Sequence, residues 1–194
     1  MWNQILPGLR INIFMTILFG IAYPLVITGI SQVAFPRQAN GSLVVSDGKV
    51  IGSELIGQNF TRAEYFQPRP SAAGNDGYDA TSSSASNLGP TNQKLIDRVK
   101  ASVEKFRKEN PDYTGPIPAD LVTASASGLD PHLSPDSAMA QAARVAKARG
   151  ASRDQVAQLI AEFTESPSLG LLGEPRVNVL RLNLALDQRF PRRP

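Results

Sequence analysis

Residues 11–35 form an uninterrupted apolar stretch, INIFMTILFGIAYPLVITGISQVAF, that contains no charged side chain. The stretch lies between Arg10 and Arg37, and every Asp and Glu of the chain comes after it. A helix of this length exceeds the roughly 20 residues that are needed to cross a bilayer core. The sequence therefore predicts a short tail of residues 1–10, one transmembrane helix of residues 11–35, and a polar domain of residues 37–194 on the far side.

A cleaved signal peptide is the competing interpretation of this stretch. Signal peptides carry an apolar region of about 7–15 residues that ends in a small-x-small cleavage site. Here the apolar run is longer, and the residues at its end are Phe35-Pro36-Arg37-Gln38. We therefore expect an uncleaved signal-anchor. A short tail before such an anchor favours a domain outside the cytoplasm, whereas the basic residues on both flanks give no clear preference under the positive-inside rule.

Small or polar residues recur at every fourth position along the predicted helix. Residues four apart lie on nearly the same side of a helix, so they form a ridge that winds slowly around it. Small residues let a neighbouring helix approach closely, and amides and hydroxyls can hydrogen-bond across the contact. Membrane helices carry stray Gly, Thr and Pro in any case, and a proline should also kink the helix. We interpret the series as a packing face, here called the polar ridge: Asn12, Thr16, Gly20, Pro24, Thr28 and Gln32.

Composition excludes several classes of site. The chain has no cysteine, which rules out a disulfide framework, a thiolate nucleophile and a zinc finger. A formal net charge of only +3 argues against a nucleic-acid partner. His132 is the single histidine, and Asp130 beside it makes no triad signature. The glycines of residues 52–59 lack the Lys-Ser/Thr of a phosphate-binding loop, and the S-x-x-K match at residues 102–105 lacks its companion motifs. We predict neither catalytic nor metal-binding residues.

The polar domain shows signatures of both helices and strands. Asp47-Gly48 between two β-rich runs predicts a hairpin. Apolar periodicity predicts a helix over residues 93–110, and two further helices are predicted to begin at the caps Ser134 and Ser152.

Two segments near these helices are predicted as short strands, residues 121–126 and 177–182, and residues 183–189 either continue the second strand or form a helix. Helices mixed with few strands indicate an α+β fold in a single domain. Four basic residues around one helix junction are expected to form a solvated face: Arg144, Lys147, Arg149 and Arg153.

Residues 71–92, SAAGNDGYDATSSSASNLGPTN, contain only two large apolar side chains, Tyr78 and Leu88. This composition is typical either of a linker or of a binding loop. Few apolar anchors cannot offset roughly 1–2 kcal/mol of ordering entropy per residue, so we expect a partner to order the segment. The partner-contact candidates in and beside it are Tyr65, Phe66, Arg69, Ser71 and Asn87.

A series of short motifs spans nearly the whole chain and resembles, in order, the KdpC family, the C subunit of the bacterial high-affinity potassium-transporting ATPase. The resembling segments are Tyr23-Pro24-Leu25, QANGSL at 38–43, GSELIGQNFT at 52–61, Tyr65-Phe66, RPSA at 69–72, SNLG at 86–89, VTASASGLD at 122–130, RVAKAR at 144–149 and NLALD at 183–187.

The resemblance implies a non-catalytic accessory subunit of an ATP-driven potassium uptake complex in the bacterial inner membrane. Its implied partners are an ATP-hydrolysing P-type subunit and a potassium-binding, channel-like subunit, with lipid around the helix and no nucleic acid. The family is described as a catalytic chaperone that raises the ATP affinity of the pump subunit. Because ATP is cytoplasmic and the chain has no nucleotide motif, the residues themselves favour assembly and stabilisation, with ATP reached only through the complex.

Two alternatives from other functional classes remain open. A signal-anchored extracytoplasmic hydrolase would need a nucleophile and a base close in space, for which Ser125 and His132 are the residues to examine. A membrane-tethered binding module for peptide or cell-wall ligands could use residues 71–92, and would fold and work without partner helices.

Overall fold

The computed structural model describes residues 2–46 and 48–191. The chain separates into two compact units, Met1–Ile51 and Gly52–Pro194. The sequence places the start of the polar domain earlier, at Arg37. Where the membrane begins and ends along the chain stays a prediction.

The first unit is built on one long helical segment. Helix α1 spans Trp2–Ile17, a π-helical turn spans Leu18–Ala22, and α2 spans Tyr23–Ala34. The segment Asn3–Ala34 is long and apolar enough to cross a membrane. Helical structure already begins at Trp2, so residues 2–10, which the sequence assigns to a tail, lengthen this helix within the structure.

The π turn lies directly before Pro24. The Tyr23 N–H donates to the Leu18 carbonyl five residues earlier, the spacing of a π-helix. In a regular α-helix the ring of Pro24 would clash with the carbonyl of Gly20, and Pro24 has no N–H to donate to it. The wider turn is one of the local distortions that accommodate such a position.

A short helix and a hairpin complete the passage to the second unit. Helix α3 spans Pro36–Ala39, β1 spans Leu43–Ser46, and β2 spans Lys49–Ser53. The two strands pair in a two-stranded sheet, which confirms the predicted hairpin. Asp47 in its turn lies outside the described residues.

The second unit contains a three-stranded antiparallel sheet with the order β3-β5-β4. The strands are β3 (His132–Leu133), β4 (Thr164–Glu165) and β5 (Arg176–Asn178). Val177 in the central strand faces Leu133 on one side and Thr164 on the other. Together with the helices this confirms the α+β fold. The core side chains with 2% exposure or less include Phe66, Leu133, Val145, Val156, Leu159, Ile160, Val177, Leu182 and Leu186.

Four helices of this unit begin at side-chain caps. Helix α4 spans Gln93–Glu109, α5 Pro135–Arg149, α6 Arg153–Glu162 and α7 Val179–Arg189. Ser134 caps α5, Gly150 closes it in the left-handed conformation, and Ser152 forms the predicted capping box with Gln155. The predicted starts of α4, α5 and α6 are therefore confirmed.

One strand prediction is wrong, and a second is correct only for its first two residues. Residues 121–126 enter irregular structure after a 3₁₀ turn, Ala119–Leu121, although Leu121 and Val122 are buried as a strand would bury them. The strand expected over residues 177–182 ends at Asn178, because the Asn178 side chain accepts the Arg181 N–H at 3.1 Å and starts α7. Residues 183–189 are therefore helical, the second of the two predicted alternatives.

Candidate functional site

Tyr65 and Phe66 lie in a long connection without helix or strand, yet they are 6% and 0% exposed. The buried amide of Asn183 on α7 brackets the Phe66 backbone, accepting its N–H at 2.9 Å and donating to its carbonyl at 3.0 Å. Gln141 on α5 does the same for Gln67, at 2.9 and 3.1 Å. Two side-chain amides thus replace the neighbouring strand that an extended segment needs when it is buried.

Arg149 is the charged centre beneath Tyr65. Its side chain is 0% exposed, its guanidinium lies 4.8 Å from the centroid of the Tyr65 ring, and its Nη1 lies 2.8 Å from Asp187 Oδ1. The Tyr65 hydroxyl donates to the other carboxylate oxygen of Asp187 at 2.8 Å, and Arg149 Nε donates to the Glu64 carbonyl at 2.9 Å. A charge can be buried here because it is paired and hydrogen-bonded.

Arg144, five residues earlier on α5, also holds the backbone of this connection. It donates to the carbonyls of Ala63 and Tyr65 and to the Asn110 side chain. Burial, the larger effect, lowers the pKa of its guanidinium, against the opposing influence of Glu109. The expected solvated basic face is therefore wrong for Arg144 and Arg149. Lys147 and Arg153 are exposed as expected.

These contacts account for the burial of Tyr65 and Phe66 within the chain itself. Their aromatic character suggested an interface core, but the chain's own α5 and α7 supply the surface that covers them. A role for either residue in a partner contact stays a prediction. Sequence reasoning missed Gln141, Arg149 and Asn183, since only the tertiary fold brings each of them to this segment.

Arg69, another partner-contact candidate, pairs with Asp130 at 2.8 Å, and both side chains are about one quarter exposed, 23% and 26%. The imidazole Nδ1 of His132 lies 3.5 Å from the other oxygen of Asp130. Burial alone would raise the pKa of Asp130, but hydrogen bonds from His132 and the charge of Arg69 outweigh it and hold the pKa below its ordinary value. Asp130 is therefore a carboxylate that carries a permanent negative charge near neutral pH.

The serine-rich segment is tied to the loop before Asp130. Ser71 Oγ donates to the Gly128 carbonyl at 2.6 Å, and the Ser84 N–H donates to the Ser127 carbonyl at 3.0 Å. Gly128 has a positive φ of 67°, and a Cβ on it would lie 2.6 Å from the Ser84 carbonyl oxygen, so this crossing requires glycine. The expectation that the segment lacks support from its own domain is wrong for residues 71–84. Asn87 lies beyond them and is exposed.

Two clefts flank Arg69. One encloses about 320 Å³ and is lined by Ser71, Tyr78, Lys105 and Gln141 among others. The other, more open, encloses about 640 Å³ between Leu55 and the loop of residues 124–131. Burial, followed by the charge of Asp130, raises the pKa of Tyr78, so its hydroxyl stays protonated and donates to the Arg69 carbonyl at 2.8 Å.

The geometry of these clefts offers little for catalysis. Ser125 and Ser127 accept the N–H groups of Gly128 and Leu129, and in the part of the chain that the structure describes neither hydroxyl is hydrogen-bonded to His132. A hydrolytic serine needs a base within hydrogen-bond reach. Within residues 2–46 and 48–191 no three His, Asp or Glu side chains form a group able to hold a metal ion.

The polar ridge lies on the first unit, and its six side chains are all exposed. In a regular α-helix a series with fourfold spacing would turn by roughly 200° between Asn12 and Gln32. The π turn at Leu18–Ala22 adds about one residue to one turn, which rotates the later residues back by about 100°. The ridge is therefore straighter than the sequence alone predicts. Its role in packing stays a prediction.

The similarity to known proteins covers both units. The family model described as "KdpC: K+-transporting ATPase, c chain" matches residues 5–188. A "Potassium-transporting ATPase KdpC subunit" from Myxococcus xanthus is 57% identical over 191 residues, which are 98% of this chain and 90% of the relative. Proteins of the same name from Rhodospirillum rubrum and Nitratidesulfovibrio vulgaris are 57% and 54% identical, over 98% and 96% of this chain and 98% and 95% of the relatives. The chain therefore belongs to the KdpC family of K+-transporting ATPase c chains.

Proposed function

We propose that this chain is a non-catalytic subunit that assembles and stabilises a potassium-transporting ATPase through its long helix and its extramembranous domain. The observation that carries the proposal is the family match over residues 5–188, together with a helix none of whose described side chains is buried. Lipid can cover Ile, Leu and Phe on such a helix, but it offers no partner for the amide of Asn12. A neighbouring membrane helix supplies one.

The domain supports the same role. Its longest irregular segment is fixed to α5 and α7 by buried amides and guanidinium groups, and to the loop of residues 125–128 by serine hydroxyls. Rigid loops of this kind present backbone and side-chain groups to a partner without a large ordering cost on binding. We propose that Arg69, Ser71 and Asn87 contribute to such a contact with another subunit, the potassium-binding or the ATP-hydrolysing one.

We further propose that the domain lies outside the cytoplasm and that any influence on ATP hydrolysis passes through subunit contacts. The supporting observation is the Gln58-Asn59 pair, which stands where a phosphate-binding loop requires Lys-Ser/Thr. A cysteine replacing Ser46 would be the only cysteine of the chain. It should react with an impermeant maleimide in intact cells, and labelling only after lysis would reverse the orientation.

The decisive experiment is purification of the affinity-tagged chain in mild detergent from cells that express the complete transport operon. We expect two larger membrane proteins to co-elute in constant proportion to the chain and to retain potassium-stimulated ATPase activity. Elution of the chain alone, with no loss of transport in its absence, would contradict the proposal. Serine and histidine substitutions test the hydrolase alternative in the same preparation: Ser125→Ala and His132→Ala should leave transport unchanged.

A further inference from the structure

Three leucines crowd the tip of the loop between β4 and β5. Leu169, Leu171 and Leu172 are 91%, 88% and 62% exposed. In the described part of the second unit, only Leu55 and Ile96 are also large aliphatic side chains with at least 36% exposure. Single exposed apolar residues are ordinary, whereas a contiguous exposed group marks an interaction site. We call residues 168–172 the leucine tip.

The leucine tip is a turn closed by backbone hydrogen bonds. Ser168 and Leu172 exchange two backbone hydrogen bonds, of 2.8 and 2.9 Å, and the Leu171 N–H donates to the Ser168 carbonyl at 3.2 Å. The two residues at the apex, Leu169 and Gly170, have φ angles of 56° and 74°. Positive φ at two successive central positions is the requirement of a type I′ turn, for which Asn-Gly and Asp-Gly are preferred.

Leucine at the first of these positions opposes local preference. A side chain with a Cβ is strained at positive φ, and asparagine or glycine would relieve the strain while keeping the turn. The turn itself therefore gains nothing from Leu169, and neither does the domain interior, since the side chain is almost fully exposed. Strain that the fold does not require is characteristic of functional positions.

The charges around the leucine tip favour one of two binding surfaces, a lipid bilayer or another protein. Beside the loop, Arg176 and Arg181 both pair with Glu165, at 3.2 and 3.1 Å. Arg181, which lies on α7, also pairs with Glu54 at 3.7 Å. Glu174, two residues after Leu172, adds a negative charge that enters no ion pair among the described residues. An anionic bilayer surface attracts apolar loops that carry free cations beside them. This loop offers paired arginines and a carboxylate, and backbone hydrogen bonds hold the turn that carries the leucines, which suits a protein surface of complementary shape.

We infer that the leucine tip is a docking knob that inserts into an apolar hollow on the extramembranous surface of another subunit of the K+-transporting ATPase. This inference rests on the proposed function and adds the surface through which the domain binds. Leu169 supplies the central contact, Leu171 and Leu172 enclose it, and Glu174 lies at the rim, where a basic or amide group of the partner would face it. The hydrogen-bonded turn lowers the entropy that is lost on docking.

The test compares two tip variants with a matched control in the full chain, purified with and without the rest of the complex. Leu169→Asn introduces the residue that the turn prefers, and Leu171→Gln changes a leucine at ordinary φ. Ile96→Gln is the control, because Ile96 is an exposed aliphatic side chain (36%) on α4, outside the tip and outside the two clefts beside Arg69. We expect Leu169→Asn to leave the melting temperature of the isolated chain equal or higher. It should weaken retention of the chain on the complex by about tenfold or more, the factor expected for one leucine that is no longer buried.

A photoreactive amino acid at position 169 identifies the molecule that the leucine tip contacts. Crosslinks from position 169 to another subunit, absent from position 96, support the inference together with weaker retention of both tip variants. Crosslinks to lipid with unchanged retention would overturn it in favour of the bilayer surface. A lower melting temperature of the isolated Leu169→Asn chain would also overturn it, by showing that the leucine serves the fold. If the unmodified chain itself fails to co-purify with the complex, the proposed function fails, which differs visibly from loss of the tip contact alone.

Discussion

The long helix exposes apolar side chains of the same types that the domain buries. Phe14, Phe19 and Val33 on the helix are 60%, 60% and 87% exposed, whereas Phe66 and Leu186 in the domain are fully buried. In water the helix would leave its whole apolar surface uncovered, so its stability depends on lipid or on a partner helix. The domain supplies its own apolar environment. The helix therefore depends on its surroundings, and the domain depends on contacts between distant parts of its chain.

The polar residues of the two regions differ in the same sense. In the domain the buried polar side chains of Gln141, Arg149 and Asn183 bond to specific groups of the connection that they hold. Among the side chains of the polar ridge, only Gln32 has a described side-chain hydrogen bond, and its partner is Asn40, beyond the end of the helix. The other polar side chains of the ridge are thus left to whatever surrounds the helix. Four experiments test how far this contrast holds.

The largest effect is expected for Phe66→Ala. Removing a fully buried ring should lower the free energy of unfolding of the domain by about 3–5 kcal/mol, because both burial and packing are lost. Pulse proteolysis of the full chain in detergent across a urea series measures this. Phe19→Ala, which removes the same ring from the helix, is the control and should leave domain unfolding unchanged. Equal losses in both variants would mean that the two regions unfold as one unit.

The next effect is expected for Arg149→Ala. Asp187 would lose its cation and the Tyr65 segment would lose several hydrogen-bond donors, so we expect roughly 3 kcal/mol of destabilisation in the same assay. Arg181→Ala removes an arginine whose side chain is 46% exposed and should cost less than about 1 kcal/mol. Similar losses in the free energy of unfolding for the two variants would show that burial of the Arg149–Asp187 pair contributes little to stability.

A smaller effect, seen only in the assembly, is expected for Gly20→Leu. A Cβ on Gly20 would meet only Thr16 Cγ2, at 3.8 Å, so the helix itself has room for a side chain. A partner helix packed on the ridge would be pushed away, with a loss of roughly 1–2 kcal/mol in helix association. Recovery of the intact complex after detergent extraction is the measurement. Leu18→Ala, off the ridge, should matter little, and equal recovery of both variants would disprove the packing face.

The smallest effect is expected for Asp130→Asn and depends on pH. The pKa of Asp130 is lower in the folded chain than the unfolded value of about 3.9, so its ionised form stabilises the fold above pH 4 or so. That contribution, about 1 kcal/mol, is lost as the pH falls through the folded pKa. The melting temperatures of the two proteins should therefore differ at pH 6 and converge in acid. A difference that is constant with pH would assign the effect to packing.

Local rules were sufficient for most elements. Residue order alone indicates the apolar helix, the hairpin at Gly48, and the starts of α4, α5 and α6, because caps and periodicity act over a few residues. The same rules failed at residues 177–182, where β-branched residues suggested a strand and one side chain, Asn178, starts a helix instead. The leucines of residues 169–172 were not singled out, since sequence does not show that they are left uncovered.

The sequence by itself determined that the chain has one helix able to cross a membrane, a mixed domain and membership of one transporter family. Only the tertiary structure decided which polar residues hold the site. Asn183 contacts Phe66 across 117 positions and Tyr65 contacts Asp187 across 122, separations at which no local pattern predicts a contact. Burial is likewise a property of the packed chain: Arg149, which was expected on a solvated face, lies in the interior, and three leucines lie outside. The physical reason is that local preferences act within a few residues, whereas burial and charge pairing depend on every segment that packs nearby.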